Sequence, residues 1–279
     1  PSFYGEVQKD GTLRGGDGTL DGLTVPKKHG RRRPVGKGIK VLFAPDSYGA
    51  LSSTDAIKRL SVAARRHFQG VKIVPVPMTY GGCGMVRALV TACEGAYRTA
   101  KITPLVPEGK SSAVYGVLHG KTAVLALAEV LPCEGEGTAS LNAGELIRRA
   151  LDEGLREIVL GTAESAIRDC GMGCMRALGV KFYDAEGTEL KGSAEELGRV
   201  AAVDTEYLHP GLREARITIL NGGISETPAE YAEDAVRFRA LVASAVGVSA
   251  SDCAGVGGLL CALGGARRAS GVDALLDAV

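Results

Sequence analysis

With 279 residues, 45% of them hydrophobic and 23% charged, the chain is long enough to bury a substantial core, and about 150 residues per domain allows two domains. The 39 glycines and 5% aromatic content favour layered α/β elements joined by tight loops over an all-β fold, and no apolar run approaches the roughly 20 residues that cross a bilayer. The net charge of +1 is uneven: residues 1–40 carry nine Lys/Arg against four Asp/Glu, so the remainder is −4, which disfavours a body that tracks a nucleic-acid backbone.

Residues 1–38 hold few apolar side chains, nine glycines and the run Lys27-Lys28-His29-Gly30-Arg31-Arg32-Arg33-Pro34, with neither a helical nor a strand period. On its own this composition is disordered. The expectation is therefore an extended tail held by a partner, with other protein subunits of a large complex as the main candidates. Lys27, Lys28, Arg31, Arg32 and Arg33 could also meet RNA phosphates or anionic lipid head groups, and a solvated linker stays open. No aromatic residue alternates with these charges, so single-strand recognition has little support. The chain opens at Pro1 rather than methionine, which suggests a removed targeting segment or a partial gene product.

From Ile39 strand and helix patterns alternate. Lys40 to Ala44 is an apolar strand, a helix is expected from about Ser52 to Phe68, and Val71 to Val76 is a second strand, together a βαβ unit. A helix follows from near Gly82 to about Cys93. Shorter strands are expected at Arg98 to Thr103, Ala113 to Leu118 and Thr122 to Leu127, then a helix from about Ala143 to Glu153 and a strand at Glu157 to Leu160. Beyond them come a helix near Asp169 to Leu178, a hairpin-like Val180 to Gly187, a helix near Ser193 to Ala201, a strand at Arg216 to Leu220, and helices at Pro228 to Val246 and Ala254 to Leu263.

The seven cysteines are odd in number and lie within expected core elements, which points to free buried thiols in a reducing compartment. Cys170 and Cys174 are four apart, but with no nearby histidine they do not make a zinc site. The four histidines are scattered, so no catalytic histidine is argued.

Ala44-Pro45-Asp46-Ser47-Tyr48 followed by Leu51-Ser52-Ser53, Val76 to Gly84, Gly144-Glu145-Leu146-Ile147 and Gly161 to Gly173 occur in the order of the motifs of the bacterial-type glycerate kinases. The chain resembles that family from residue 39 onward. The resemblance implies an α/β fold: an incomplete flavodoxin- or Rossmann-like parallel sheet over residues 39–95, and a second glycerate-kinase-like α/β domain over 96–279, after the 1–38 tail. The family's closing motif would lie beyond Val279, so a C-terminally truncated member is expected.

Several family site positions differ here. The lysine after the Asp-Ser-aromatic motif is Gly49, the acidic pair of the first glycine loop is Tyr80 and Cys83, the paired glycines of the second are Ala163 and Glu164, and its Thr-Asn pair is Ile167 and Arg168. A carboxylate repels phosphate and a β-carbon blocks close backbone approach. On this reading Asp46, Ser47, Ser165 and Asp169 are vestigial catalytic residues, and Gly81, Gly82, Gly84 and Gly171 mark degenerate ligand loops. No cofactor and no metal are expected. The function expected is that of an inactive glycerate-kinase-like structural subunit of an organellar, mitochondrial assembly. The alternatives are a divergent active kinase, phosphorylating D-glycerate with ATP and completed by another chain, and a mitoribosomal accessory protein.

Overall fold

A computed structural model of the chain describes residues 5–7, 12–15, 18–24, 40–46, 51–79, 81–104, 111–130, 140–162, 167–220, 231–253, 255–264 and 267–269. They divide into two compact units, Pro1–Phe43 with Ile57–Pro75, and Ala44–Ala56 with Val76–Val279. Among the described residues no helix is long and apolar enough to cross a membrane.

In the first unit β1 (Gly5–Val7), β2 (Thr12–Gly15) and β3 (Gly18–Thr24) form an antiparallel sheet in the order β1-β2-β3, with Glu6 opposite Arg14 and a register shift between Thr12 and Arg14. This corrects the expectation of a tail without regular structure. Glycine- and threonine-rich strands pair through the backbone, and nothing in their sequence alternates to announce them. The cluster Lys27, Lys28, Arg31, Arg32 and Arg33 lies outside the described residues.

β4 (Lys40–Phe43) and β5 (Lys72–Pro75) pair in parallel with Val41 opposite Ile73, and α1 (Ser53–His67) connects them, as the βαβ pattern requires. Asp55 in the first turn of α1 and Arg65, Arg66 and His67 in its last complement the helix dipole.

The larger unit is built on a six-stranded mixed sheet. Its elements are α2 (Met85–Ala92), β6 (Ala96–Lys101), β7 (Ser112–Leu118), β8 (Thr122–Ala126), α3 (Leu127–Val130), α4 (Leu141–Asp152), β9 (Glu157–Gly161), α5 (Met172–Ala177), β10 (Lys181–Tyr183), β11 (Ala202–Asp204), α6 (Pro210–Glu214), β12 (Arg216–Leu220), α7 (Ala232–Val246), α8 (Gly255–Gly264) and β13 (Arg267–Ala269). The order is β13-β12-β9-β8-β7-β6. The pairs from β13 to β8 are parallel, and β7 and β6 run antiparallel at the edge.

Successive residues of the central strands enter two separate cores. Ala123, Leu125, Ile158, Leu160, Ile217 and Ile219 join the main core with α4, α5, α7 and α8. Val124, Ala126, Val159 and Leu220 join a smaller core with Met85, Val86, Leu89 and Val90 of α2. Strands covered on both faces read as unbroken apolar runs, which is why they are plain in the sequence. Because α2 packs on this sheet, it belongs to the larger unit, together with Ala44–Ala56.

α4 and α5 meet backbone to backbone at Gly144. A β-carbon there would collide with the Cys174 carbonyl and lie 2.7 Å from Ala177 Cβ. Beyond α5, β10 pairs with β11 rather than with the segment after its own turn, which returns only as a single bridge from Tyr183 to Glu189. Asp184 orders that turn: it accepts the Thr188 amide (2.7 Å) and Arg199 Nη2 (2.7 Å). The Thr188 amide and then Arg199 hold its carboxyl below the ordinary aspartate range.

Gly144→Ala is expected to destabilise the chain by about 1–3 kcal/mol in urea unfolding, because overpacking outweighs the gain in helix propensity; an unchanged or raised midpoint would show that α4 and α5 can separate freely. Asp184, with its lowered carboxyl, stabilises the fold above the ordinary aspartate range and loses that contribution as pH falls through the folded-state value. Asp184→Asn should therefore be less stable than the parent at pH 7, with the gap closing toward pH 3 in thermal unfolding; a gap that is constant with pH contradicts this.

Candidate functional site

β8, β9, β12 and β13 are parallel and in register, so Ala126, Gly161, Leu220 and Ala269 form one row at their carboxyl ends. Crevices at such ends are where open α/β sheets place ligands. The loop leading into α2 crosses this row. A β-carbon on Gly81 would lie 2.8 Å from the Leu220 carbonyl oxygen, and one on Gly161 would coincide with the Gly81 carbonyl and lie 2.7 Å from Met85 Sδ. Gly81 (φ 95°) and Gly84 (φ 83°) are left-handed, a conformation that costs glycine little and other residues more. Thr162 ties the same corner, its amide and hydroxyl both donating to the Leu220 carbonyl (3.1 and 3.3 Å).

A second segment is fastened to this loop by Ser53, at the first turn of α1. Ser53 Oγ donates to the Pro45 carbonyl (2.6 Å) and accepts the Met78 amide (2.9 Å), and the residue is buried. One hydroxyl thus holds the backbone before Asp46 against the backbone before the glycine loop. Ser52 caps α1, accepting the Asp55 amide (3.2 Å) while donating to its carboxylate (2.8 Å). Ser52, Ser53, Thr54, Met78, Thr79, Cys83 and Gly84 then line a narrow cleft. The first turns of α1 and α2 both border it, a setting that favours anions.

The other group of sequence candidates has a different fate. Asp169 is fully buried. Its Oδ2 accepts the Ser140 amide (2.6 Å), the Ser140 hydroxyl (3.0 Å) and the Gly173 amide (3.1 Å), and its Oδ1 accepts the Gly171 amide (2.9 Å). Ser140 Oγ in turn accepts the Cys174 amide (2.8 Å). One carboxylate therefore serves the first turns of both α4 and α5. Burial pushes the Asp169 carboxyl up, against the pull of these donors, and burial with the nearby Asp169 charge pushes the Cys174 thiol up.

Of the residues singled out in the sequence, Asp46 is exposed beside the segment that Ser53 holds, and Gly81, Gly82 and Gly84 form the loop over β9 and β12. Gly171 (φ 87°) caps α5 and is packed against Val256 and Leu259 of α8. Ser47 and Ser165 lie outside the described residues, as do Gly49, Tyr80, Ala163 and Glu164. Sequence reasoning offered Ser53 only as one of three candidate caps of α1, with Ser52 and Thr54, and gave Gly161 no role. Their signal was present, since Ser53 closes the Leu51-Ser52-Ser53 motif and Gly161 opens the second loop.

The glycerate kinase family model matches residues 41–226, which include Ala126, Gly161 and Leu220 of the row of carboxyl ends, the loop across it and the Ser53 clamp. The chain belongs to the glycerate kinase family. It is 35% identical over 191 residues to the glycerate 2-kinase of Escherichia coli (strain K12), covering 65% of this chain and 50% of that protein. It is 31% identical over 192 residues to the glycerate kinase of Haemophilus influenzae, with the same coverage, 65% and 50%. A Salmonella typhimurium LT2 structure assigned as glycerate kinase 2 superposes with a TM-score of 0.72 at 27% identity, covering 87% of this chain and 74% of that one. The chain spans about half the length of these curated relatives.

These findings correct three expectations. The reading as an inactive structural subunit, and with it the pseudoenzyme label, is overturned: the family model and the curated relatives that the chain matches are glycerate kinases. A mitochondrial or other organellar location is unsupported, because the relatives are bacterial proteins. The physical reason lies in what the departures touch. Ile167, read as a lost ligand residue, is 5% exposed and part of the main core. The approach of backbone to backbone at Gly81 and Gly161 is intact.

Asp169→Asn is expected to cost about 2–4 kcal/mol in denaturant unfolding, since either orientation of the amide turns an N–H donor toward an N–H donor already there. Ser140→Ala should cost less and be strongly non-additive with it in a double-mutant cycle; additive effects would mean that the two side chains act separately.

Proposed function

We propose that this chain acts in the ATP-dependent phosphorylation of D-glycerate, contributing the segments around Asp46 and Gly81 to Gly84 to the site. The observation that carries the reading is the junction of Gly81, Gly161 and Leu220, which seats a glycine loop on the carboxyl ends of parallel strands inside the family-matched region. Glycerate is a small anion bearing two hydroxyls. The first turns of α1 and α2 bring partial positive charge, and Ser52, Thr54 and Thr79 bring hydroxyls, to the rim of the cleft. The cleft's own space, about 10 Å³, is that of a single water, so the glycerate carboxylate would rest on this rim rather than inside.

Phosphoryl transfer to a hydroxyl depends on positioning and charge stabilisation, with a carboxylate to take the hydroxyl proton. Asp169 is unsuited to that role, because its lone pairs are spent on four donors and it has no exposed surface. We assign the role to Asp46, exposed at the segment that Ser53 holds. Among the described residues no three His, Cys, Asp or Glu side chains converge as a metal site.

The purified chain given ATP, magnesium and D-glycerate should release ADP in a D-glycerate-dependent manner. Asp46→Asn should lower turnover by about a hundredfold with an unchanged unfolding temperature. D-glycerate should also slow alkylation of Cys83, which is exposed at the cleft. Failure of both D-glycerate-dependent ADP release and Cys83 protection sinks the reading.

A further inference from the structure

A second concavity of the larger unit lies elsewhere. It is an open groove of about 880 Å³ between β6, the outer face of α4, the end of α5 and the start of β10, and it shares no lining residue with the cleft at Ser53 and Cys83. Its wall carries five basic side chains, Lys101, Arg148, Arg149, Arg176 and Lys181, against three acidic ones, Glu145, Asp152 and Glu189. The surplus of positive charge stands out in a chain whose residues beyond 40 sum to −4.

The acids are already engaged. Glu145 accepts the Thr103 amide (2.7 Å) and hydroxyl (2.6 Å), Asp152 faces His209 Nε2 (3.1 Å) and Arg148 Nε (4.0 Å), and Glu189 lies 3.8 Å from Arg176 Nη2. The bases are less fully matched. Arg149 is held by Glu153 at 2.8 Å, but Lys101 and Lys181 make no ion pair among the described residues. Lys181 is instead set over the Tyr207 ring, 4.3 Å from its centroid. Arg176 is steadied by the Lys191 carbonyl (3.3 Å), yet its Nε is buried without a hydrogen-bond partner. That Nε has no access to the groove; the Arg176 side chain as a whole is 36% exposed, so its terminal guanidinium nitrogens are the ones an anion there would meet.

We propose that this groove binds a small phosphorylated metabolite, with the phosphate taken by Arg148, Arg176 and Lys181. Guanidinium forks and a lysine point charge are the side chains that suit a tetrahedral dianion. The volume fits a small ligand rather than a nucleic-acid track. A polynucleotide is further disfavoured because the face of Tyr207, the one aromatic ring on the lining, is covered by Lys181. The site goes beyond the kinase reading and does not depend on it, since none of its residues comes from the segments at Asp46 or Gly81 to Gly84.

The test uses inorganic pyrophosphate as the probe and lysine acetylation, read by mass spectrometry, as the local signal. Pyrophosphate at millimolar concentration should slow acetylation of Lys101 and Lys181 by about threefold or more and leave Lys121, in an exposed turn, unchanged. The double variant Arg148→Gln with Lys181→Gln should weaken pyrophosphate binding by about tenfold or more, read as protection of Lys101, while Lys121→Gln should not change it. Arg176 is left in place because it also donates to the Lys191 carbonyl; Arg148 Nη1 donates to the Ala177 carbonyl at 3.4 Å, so the double variant's unfolding temperature is measured alongside and should match the parent's. Equal acetylation with and without pyrophosphate, protection of Lys121 alongside the others, or full protection of Lys101 in the double variant would each overturn the proposal.

Discussion

The Asp169 carboxylate is the constraint on which the larger unit is organised. It sits out of water at the first turns of two helices, with four donors around two oxygens. A buried charge is tolerated only when it is so matched, and removing one partner leaves the others uncompensated. The match also fixes geometry. Ser140 belongs to the start of α4 and Gly171 and Gly173 to the start of α5, so the carboxylate sets how those helices begin. Gly144 then sets how closely they run. The main core behind β8 and β9 is assembled on that pair, and the face of β9 opposite it carries the seat for the Gly81 loop.

Glycine does two kinds of work here. High glycine content suggests loops, and Gly84 and Gly171 do cap helices in the left-handed region. Gly116, Gly144 and Gly161 sit inside regular elements, where each lets a neighbour approach closer than a β-carbon allows: Val90 at Gly116, Cys174 at Gly144, Gly81 at Gly161. These contacts replace bulky side chains as the means of bringing layers together, which suits a chain with few aromatic residues. In the main core one ring pair, Phe182 and Phe238 at 5.5 Å between centroids, does the work that larger cores spread over many.

Much of this was legible in the sequence. β8 and β9 read as largely apolar runs because they are covered on both faces, β12 as a short strand, and α4 as an amphipathic helix because it has one covered face. The sheet at residues 5–24 was not legible, since nothing in its composition alternates. The role of Asp169 was hidden for another reason. Its partner Ser140 is 29 residues away, and a chain that shows only spacing offers no means of telling a spent carboxylate from a catalytic one. Ser53 was easier, because a helix-capping motif announced it, but its two backbone partners, 8 and 25 residues distant, were beyond local pattern.

The mistaken inference of inactivity has the same root. Substituted side chains in the glycine loops were read as a dismantled site, on the premise that added β-carbons block backbone approach and that a lost lysine and lost carboxylates leave the charge unmanaged. In the folded chain the site's shape is set by backbone: carbonyls of Leu220 and Gly81, amides of Met78 and Thr162, and the first turns of two helices. Backbone groups are insensitive to side-chain identity so long as the glycines that admit them remain, and Gly81, Gly84 and Gly161 remain. Replacing an acid by Cys83 alters charge at the rim of the cleft while leaving its frame untouched. Such a change is better suited to shifting which anion is preferred, and how tightly it is held, than to abolishing the site.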